Sequence, residues 1–206
     1  MKINYLNWSH KDNIDTIATL LQKNKIIAGN SDTVAGLLAP LTKIGYNKLD
    51  TIKERSNKPY LILIDSPEKI ELFAEKPSPK TREIIQKFWP GPLTLLLPAK
   101  KNIPSYLKSQ DNKVALRVPN HTGLLTLLKK FNGLFSTSAN KQNESTPTTV
   151  DTINQKIVDM VDTLIKDPQE KETLSSTILD CTGDTIKVIR EGSTPLQKIR
   201  EVCPYL

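Results

Sequence analysis

The sequence has little of the chemistry that disulfide scaffolds, metal centres and histidine-based triads require. Its 206 residues include two cysteines and two histidines, and no CxxC spacing occurs. This pattern argues against a disulfide scaffold and against a zinc site. Two thiols in a chain of this size suit a reducing compartment.

Signals for export and for membrane insertion are also missing. Residues 1–8 mix polar and apolar side chains and lack the apolar stretch of a signal peptide. No apolar run approaches the ~20 residues that a membrane span needs. We therefore expect a cytoplasmic protein that does not enter the membrane. The length and the absence of a Ser/Gly linker predict a single domain over residues 1–206.

The two commonest phosphate-binding loops are absent, because the sequence has neither a Walker A motif nor GxGxxG. What it does have is positive charge: 29 Lys+Arg against 22 Asp+Glu, a net charge of +7. This favours anionic partners such as nucleotides, nucleic acid or acidic lipid, with a solvated basic surface as the alternative. Any bound nucleotide must be held by cationic side chains and by loop or helix-end amides.

Hydrophobic spacing and chain-breaking residues predict the α/β class, with one mixed sheet, parallel and antiparallel, flanked by helices. Helices are expected at residues 12–23, 34–41, 46–54, 67–74, 79–88, 122–131, 148–157 and 195–202. Strands are expected at 26–29, 60–64, 93–97, 114–118, 134–137 and 161–165, with a hairpin of 176–179 and 186–189.

Three polar segments suit a ligand, and each also has a plainer interpretation. Residues 30–33 (NSDT) follow a buried strand and could contact a ligand or cap the next helix. Residues 53–55 (KER) place two cations where either an anion or the helix macrodipole would favour them. Residues 136–140 (STSAN) offer three hydroxyls and an amide to a polar ligand, or form a turn with local hydrogen bonds.

Two arginines raise a question of charge. Arg117 lies inside an apolar strand, where an unpaired charge is costly, so it must be paired or face a ligand. Arg190 poses the same question, with Glu191 or solvent as simpler answers. The FWPGPLT string at residues 88–94 predicts a rigid aromatic turn with a structural role.

Five strings taken in order resemble the YrdC-like family of threonylcarbamoyl-AMP synthases, in its short single-domain form. They are FWPGPLTL at 88–95, LRVP at 116–119, TSAN at 137–140, SSTILD at 175–180 and IREG at 189–192. The resemblance implies a YrdC-like twisted mixed sheet around a basic concave groove. It also implies an enzyme that makes threonylcarbamoyladenylate and pyrophosphate from ATP, bicarbonate and L-threonine. The product serves threonylcarbamoyladenosine modification of tRNA next to the anticodon.

The resemblance carries roles onto named residues. The catalytic, ATP-binding KxR and SxN signatures fall on Lys53, Arg55, Ser138 and Asn140. Further nucleotide contacts are expected from Thr146, Ser176 and Arg190, and the threonine pocket from Ser31, Thr33, Arg117 and Thr137. Mg²⁺ is expected with the triphosphate rather than on protein ligands. A tRNA threonylcarbamoyl-transferase complex is the expected recipient of the product, with weak tRNA binding.

The sequence departs from the family pattern in three places. The usual PTDTVYGL reads NSDTVAGL, so Ala35 replaces a tyrosine, and we expect this to open the amino-acid pocket and loosen selectivity for threonine over serine. The basic segment reads KERSNKPY, so the correspondence of residues 56–58 to the family pattern is in doubt. The loop after TSAN reads KQNESTPTT, so the correspondence of residues 141–145 is in doubt as well.

Three other functions are compatible with these residues. An RNA-binding module would use the same basic groove, although aromatics are 5% of the chain and lack the interleaving of a stacking platform. A related enzyme would take its carbamoyl group from carbamoyl phosphate, in larger chains that carry zinc-finger-like cysteines. An inactive regulatory relative is the third. Steeply salt-dependent RNA binding without ATP turnover would favour the first.

Overall fold

The computed structural model describes residues 4–55, 59–142, 144–167, 173–204 and 206. Its strands are β1 (Asn4–Asn7), β2 (Ile27–Gly29), β3 (Gly36–Pro40), β4 (Leu61–Leu63), β5 (Leu93–Pro98), β6 (Lys113–Arg117), β7 (Leu134–Ser138), β8 (Thr163–Lys166), β9 (Thr177–Asp180) and β10 (Lys187–Arg190). Its helices are α1 (Lys11–Gln22), α2 (Lys43–Lys53), α3 (Pro79–Phe88), α4 (Thr122–Leu128), α5 (Gln155–Val158) and α6 (Leu196–Val202).

Within these residues the ten strands form one sheet in the order β1-β8-β2-β3-β7-β4-β6-β5-β9-β10. Four neighbouring pairs are parallel, namely β1 with β8, β8 with β2, β4 with β6 and β5 with β9. The other five pairs are antiparallel. The predicted mixed sheet with flanking helices is therefore confirmed. In the same described part of the chain, no helix has the length and apolar character needed to cross a bilayer.

The sheet has a hydrophobic cluster on each face because successive strand residues point to opposite sides. On β3, Leu38 joins the cluster that α1 and α4 cover, whereas Leu37 joins the larger cluster on the other face. The larger cluster contains residues of α2, α3, α5 and α6. Helix α1 is amphipathic, as predicted, with Ile14, Ile17, Ala18 and Leu21 buried.

Part of the sheet face that carries α1 and α4 is left open. Leu38, Leu63 and Leu124 belong to the cluster on this face and also line a cavity. On the neighbouring strands, Leu96 of β5 and Ala115 of β6 continue the floor of that cavity. Helices cover one end of the face and leave the other accessible, and this uncovered area is where the predicted site residues gather.

The predicted helix at 34–41 is wrong. Residues 36–40 form β3, which pairs with β2 through Ile27 and Leu38 and with β7 through Leu38 and Ser136. A short apolar run does not distinguish a buried strand from a buried helix by periodicity alone, and here strand pairing on both sides decides the structure. Residues 30–35 are consequently a connection between two antiparallel strands and not a helix cap.

Smaller differences concern short elements. Strand β1 was not predicted, and the expected helices at 67–74 and 148–157 contain the 3-10 turns Pro67–Leu72 and Val150–Thr152, the latter followed by α5. Helix α3 is confirmed at the predicted residues, with the Ser78 hydroxyl accepting from the Thr81 amide at 3.2 Å and Pro79 in the first turn. The predicted hairpin is confirmed as β9 and β10.

Candidate functional site

A cavity of about 590 Å³ opens on the uncovered face of the sheet. All eleven residues that the sequence assigned to a site line it: Ser31, Thr33, Lys53, Arg55, Arg117, Thr137, Ser138, Asn140, Thr146, Ser176 and Arg190. The structure therefore brings the predicted residues to one place. The role of each residue stays a prediction.

Lys53 enters the cavity from the end of α2. It is the last residue of that helix and is only 4% exposed. Glu54 follows in the left-handed conformation, with φ 49° and ψ 43°, which ends the helix. The chain then leaves the helix axis and presents Arg55 to the same cavity.

The Lys53 ammonium connects the KxR and SxN segments. Its Nζ donates to the carbonyl oxygen of Ser138 at 2.7 Å, to Asn140 Oδ1 at 3.0 Å and to the Asn140 carbonyl oxygen. The Ser138 hydroxyl donates to the same Asn140 Oδ1 at 2.5 Å. These contacts lie at the end of β7. The position of the Lys53 ammonium is therefore explained by these acceptors and not by the macrodipole of α2.

Burial has a clear effect on this lysine. It lowers the pKa of Lys53 to about 8, with the charge of Arg55 acting in the same direction and Glu144 in the opposite one. Lys53 is therefore protonated below pH 8 and loses its charge above it. If a polyanion binds best to the ammonium form of Lys53, its binding at alkaline pH must be accompanied by uptake of a proton.

We expect the affinity for a non-hydrolysable ATP analogue to fall roughly 8-fold between pH 7.5 and pH 9, by this linkage. Isothermal titration calorimetry at the two pH values measures the change. The matched variant Lys53→Met should bind weakly at both values, with no pH dependence in this range. Equal affinity of the wild-type protein at pH 7.5 and pH 9, with Lys53→Met binding as tightly as wild type, would show that Lys53 does not contact the phosphates.

Arg55 is held loosely by comparison. Its guanidinium carbon lies 4.2 Å from the centre of the Tyr60 ring, and Nη2 donates to the Pro59 carbonyl at 3.4 Å. Its Nε is buried and has no hydrogen-bond partner among the described residues. Arg55 thus retains donors that an anionic ligand in the cavity could use.

Arg117 is buried, 3% exposed, and its charge is paired. Its Nη2 forms an ion pair with Asp32, Nη1 donates to Thr33 Oγ1 at 3.0 Å, and Nε donates to the Gly91 carbonyl at 3.0 Å. The second Asp32 oxygen accepts from the Asn120 amide at 2.8 Å. The demand that a buried arginine be paired is therefore met by Asp32. If Arg117 also binds a substrate carboxylate, as predicted, its guanidinium group must bind that carboxylate and Asp32 at the same time.

The aromatic turn after α3 supports Arg117. The Trp89–Pro90 bond is cis, and the Trp89 indole nitrogen donates to the Leu93 carbonyl at 2.6 Å. The Gly91 amide donates to the Val118 carbonyl at 2.8 Å, which fixes the carbonyl that receives Arg117. The turn is structural, as predicted, and it also orients a residue of the cavity wall.

Ser176 and Arg190 form the far wall. Arg190 donates to the Ser176 carbonyl from Nε at 3.2 Å and from Nη2 at 2.8 Å. The Ser176 hydroxyl lies 2.9 Å from Thr94 Oγ1. A Cβ on Gly192 would lie 2.1 Å from the Ser175 carbonyl oxygen, so only glycine allows this close approach of the two segments. The hydrogen-bond partner of the Arg190 guanidinium is thus the carbonyl of Ser176 and not the side chain of Glu191.

The electrostatics of the cavity are one-sided. Its described lining includes the cations Lys53, Arg55, Arg117, Lys141 and Arg190 and no carboxylate. Asp32 neutralises one of these charges from behind the wall, and Glu54 pairs with Lys141. Such a concentration of positive charge above a partly apolar floor favours a polyanion with an apolar portion.

The expectation that Ala35 opens the amino-acid pocket is wrong. Ala35 is fully buried in the hydrophobic cluster on the α2 side, and it is not among the described residues that line the cavity. Val34 and Gly36, on either side of it, do line the cavity. The loosened selectivity for threonine over serine therefore loses its structural basis.

The sequence analysis gave no individual role to three residues of this region, although two of them belong to the polar segment 30–33. Asp32 is the counter-ion of Arg117, Thr94 bonds Ser176, and Asn30 is a buried part of the wall. A signal for Asp32 was present, because a buried arginine needs a partner and the 30–33 segment held a carboxylate. Of the segments placed in doubt, residues 56–58 and 143 lie outside the described residues.

A family model named Sua5_yciO_yrdC, with the description telomere recombination, matches residues 19–192. The chain belongs to the Sua5/YciO/YrdC family. The putative threonylcarbamoyl-AMP synthase of Methanocaldococcus jannaschii is 34% identical over 177 residues, which are 85% of this chain and 83% of that protein. The resemblance inferred from the sequence motifs is thereby confirmed.

Solved structures of this Sua5/YciO/YrdC family share the fold. Pyrococcus abyssi Sua5 complexed with L-threonine superposes with a TM-score of 0.90 and 26% identity, covering 100% of this chain and 62% of that one. Escherichia coli YciO superposes with a TM-score of 0.82 and 19% identity, covering 98% of this chain and 97% of that one, and shows the fold alone. The chain thus spans less than two thirds of the Pyrococcus protein.

Proposed function

We propose that this chain is a threonylcarbamoyl-AMP synthase, a nucleotidyltransferase that joins a carbamate of L-threonine to the α-phosphate of ATP. The observation that carries the proposal is the cavity itself, which gathers all eleven predicted residues, four of them cations, together with Lys141, and has no carboxylate among its described lining residues. Relatives named threonylcarbamoyl-AMP synthase support the same reaction.

The reaction needs positioning and charge stabilisation more than a protein nucleophile. The amine of threonine adds to bicarbonate with loss of water, and a carbamate oxygen then attacks the α-phosphorus. The bond to the β,γ-phosphates breaks and pyrophosphate leaves with its electron pair. Lys53 and Arg55 offset the negative charge that develops on the phosphates. The sparse histidine content fits such a mechanism.

The lining residues suit the two organic substrates by their chemistry. Ser31, Thr33, Arg117 and Thr137 would hold the amino acid, with the Arg117 fork on its carboxylate. Ser138, Asn140, Thr146, Ser176 and Arg190 would hold the nucleotide by hydroxyl, amide and guanidinium groups.

Mg²⁺ is proposed as a companion of ATP. The described residues contain no group of three His, Cys, Asp or Glu side chains that could hold a metal ion. The cavity offers hydroxyl and amide oxygens, which suit an ion bound chiefly through phosphates and water. When bound, Mg²⁺ would neutralise phosphate charge beside Lys53 and Arg55.

The product is a mixed anhydride, which water hydrolyses readily, so direct transfer to the next enzyme is advantageous. We propose that a tRNA threonylcarbamoyl-transferase complex in the cytoplasm receives it. The net charge of +7 would support weak tRNA contact during this transfer.

Pyrophosphate release tests the proposed reaction. With ATP, Mg²⁺, bicarbonate and threonine present, we expect continuous release that stops when either threonine or bicarbonate is omitted. Release that does not depend on threonine would assign the site to another acceptor. Binding of RNA with steep salt dependence, and no pyrophosphate release under any condition, would replace the enzyme with an RNA-binding module.

A further inference from the structure

Asn30 is the one residue of the NSDTVAGL segment that replaces a proline of the family pattern. It directly follows β2 and is 2% exposed. It lines the cavity beside Ser31. A side chain that cannot hydrogen-bond has thus been exchanged for a buried amide with two donors and an acceptor.

The Asn30 amide makes one specific bond and leaves one atom without a partner. Its Nδ2 donates to the Thr148 carbonyl at 3.0 Å. Its Oδ1 is buried and has no hydrogen-bond partner among the described residues. The Thr148 carbonyl fixes this orientation, because only the NH₂ end of an amide can donate to it. The bond to Thr148 is therefore made while the buried Oδ1 stays unpaired, which is costly.

The Asn30 backbone is held rigidly from behind. Its carbonyl accepts from the Trp8 indole nitrogen at 3.0 Å. Trp8 stacks edge-on against His121, with ring centres 5.4 Å apart. A Cβ on Gly123 would lie 2.6 Å from the Trp8 Cβ, so Trp8 packs directly against the backbone of Gly123. The Asn30 side chain therefore projects from a fixed base.

The segment that carries Thr146 is held on both sides. Before Thr146, the Asn140 Nδ2 donates to the Glu144 carbonyl at 2.7 Å. After it, the Asn30 bond to Thr148 is joined by a bond that the Ala35 amide donates to the Pro147 carbonyl at 3.0 Å, and these two bonds tie residues 147–148 to the connection between β2 and β3. Thr146, immediately before residues 147–148, lines the cavity and is one of the proposed nucleotide contacts.

We propose that Asn30 is a positioning residue for ATP, which acts by holding Thr146 in the cavity wall through Thr148. The proposal rests on the function proposed above. On this proposal, the effect of Asn30 is confined to nucleotide affinity.

The test uses Asn30→Leu, which keeps the shape of the side chain and removes both the donor and the unpaired oxygen. We expect the thermal midpoint to stay within about 2 °C of wild type, since loss of the unpaired carbonyl offsets loss of the bond. The Kd for a non-hydrolysable ATP analogue and the KM for ATP should rise about 5- to 10-fold, the value of one hydrogen bond. The KM for threonine and kcat should not change.

Coupling to Thr146 separates positioning from a general structural role. In a Thr146→Ala background, Asn30→Leu should weaken ATP binding no further, because the group that it positions is gone. Asn132→Leu, at an exposed asparagine outside the cavity, is the matched control and should change neither constant.

Two failures are distinguishable. If Asn30→Leu binds the analogue as wild type does, or if its effect adds fully to that of Thr146→Ala, the positioning role is wrong and the proposed function stands. If the wild-type protein binds no ATP analogue, the proposed function itself is wrong.

Discussion

Replacing both Lys53 and Arg55 with alanine should reduce threonylcarbamoyl-AMP formation by at least about 10³-fold, or about 4 kcal/mol of transition-state stabilisation. The reason is geometric as well as electrostatic. Lys53 contributes charge and also holds the ends of Ser138 and Asn140 together through three hydrogen bonds. Arg55 contributes a guanidinium whose Nε has no hydrogen-bond partner among the described residues. The measurement is the initial rate of pyrophosphate release at saturating substrates.

The double variant must be shown to fold, because Lys53 is buried. Circular dichroism and the thermal midpoint supply that check. Arg55→Gln is a second variant that leaves the buried lysine intact, and it should lose about 10²-fold in rate without unfolding. Lys87→Ala, at the exposed end of α3, is the matched control and should keep the wild-type rate. A folded double variant with near wild-type turnover would show that the KxR segment is not the phosphate site.

Replacing Arg117 with alanine should destabilise the protein by about 3–5 kcal/mol, because it leaves the Asp32 carboxylate without its partner in a largely buried place. For a chain of this size the thermal midpoint should fall by roughly 6–20 °C. Threonine binding should be lost as well, since the proposed amino-acid side contains no other arginine. Differential scanning calorimetry and threonine titration measure the two effects.

Removing both charges isolates the pair. The Asp32→Leu, Arg117→Met variant should recover much of the lost stability, because an ion pair replaced by apolar side chains avoids the uncompensated charge. It should still fail to bind threonine. Arg82→Ala, exposed on α3, is the control for loss of an arginine as such. If Arg117→Ala melts like the wild-type protein, the buried pairing described here does not hold in solution.

The sequence predicted most elements because their signals are local. Proline and serine at the start of α3, the apolar face of α1 and the turn between β9 and β10 each depend on neighbours within a few residues. Strand β3 failed for the opposite reason. Its apolar run is compatible with a helix, and pairing with β2 on one side and with the distant β7 on the other makes it a strand.

The site shows the same division between local and distant information. The residues of the cavity were predicted from the order of five motifs, since each segment alone favoured a helix end or a turn. Contacts across the chain were not predictable from spacing: Asp32 and Thr33 lie 85 and 84 residues from Arg117. The side of the sheet that Ala35 faces also depends on tertiary structure, which is why its expected place in the amino-acid pocket was wrong.

The direct test of the central claim is the product itself. Incubation of the wild-type protein with ATP, Mg²⁺, L-threonine and ¹³C-bicarbonate, followed by mass spectrometry, should yield threonylcarbamoyl-AMP carrying one ¹³C atom, with one pyrophosphate released for each molecule formed. Omitting threonine should abolish both signals. Pyrophosphate released without a ¹³C-labelled adenylate, or an adenylate that contains no threonine, would contradict the account.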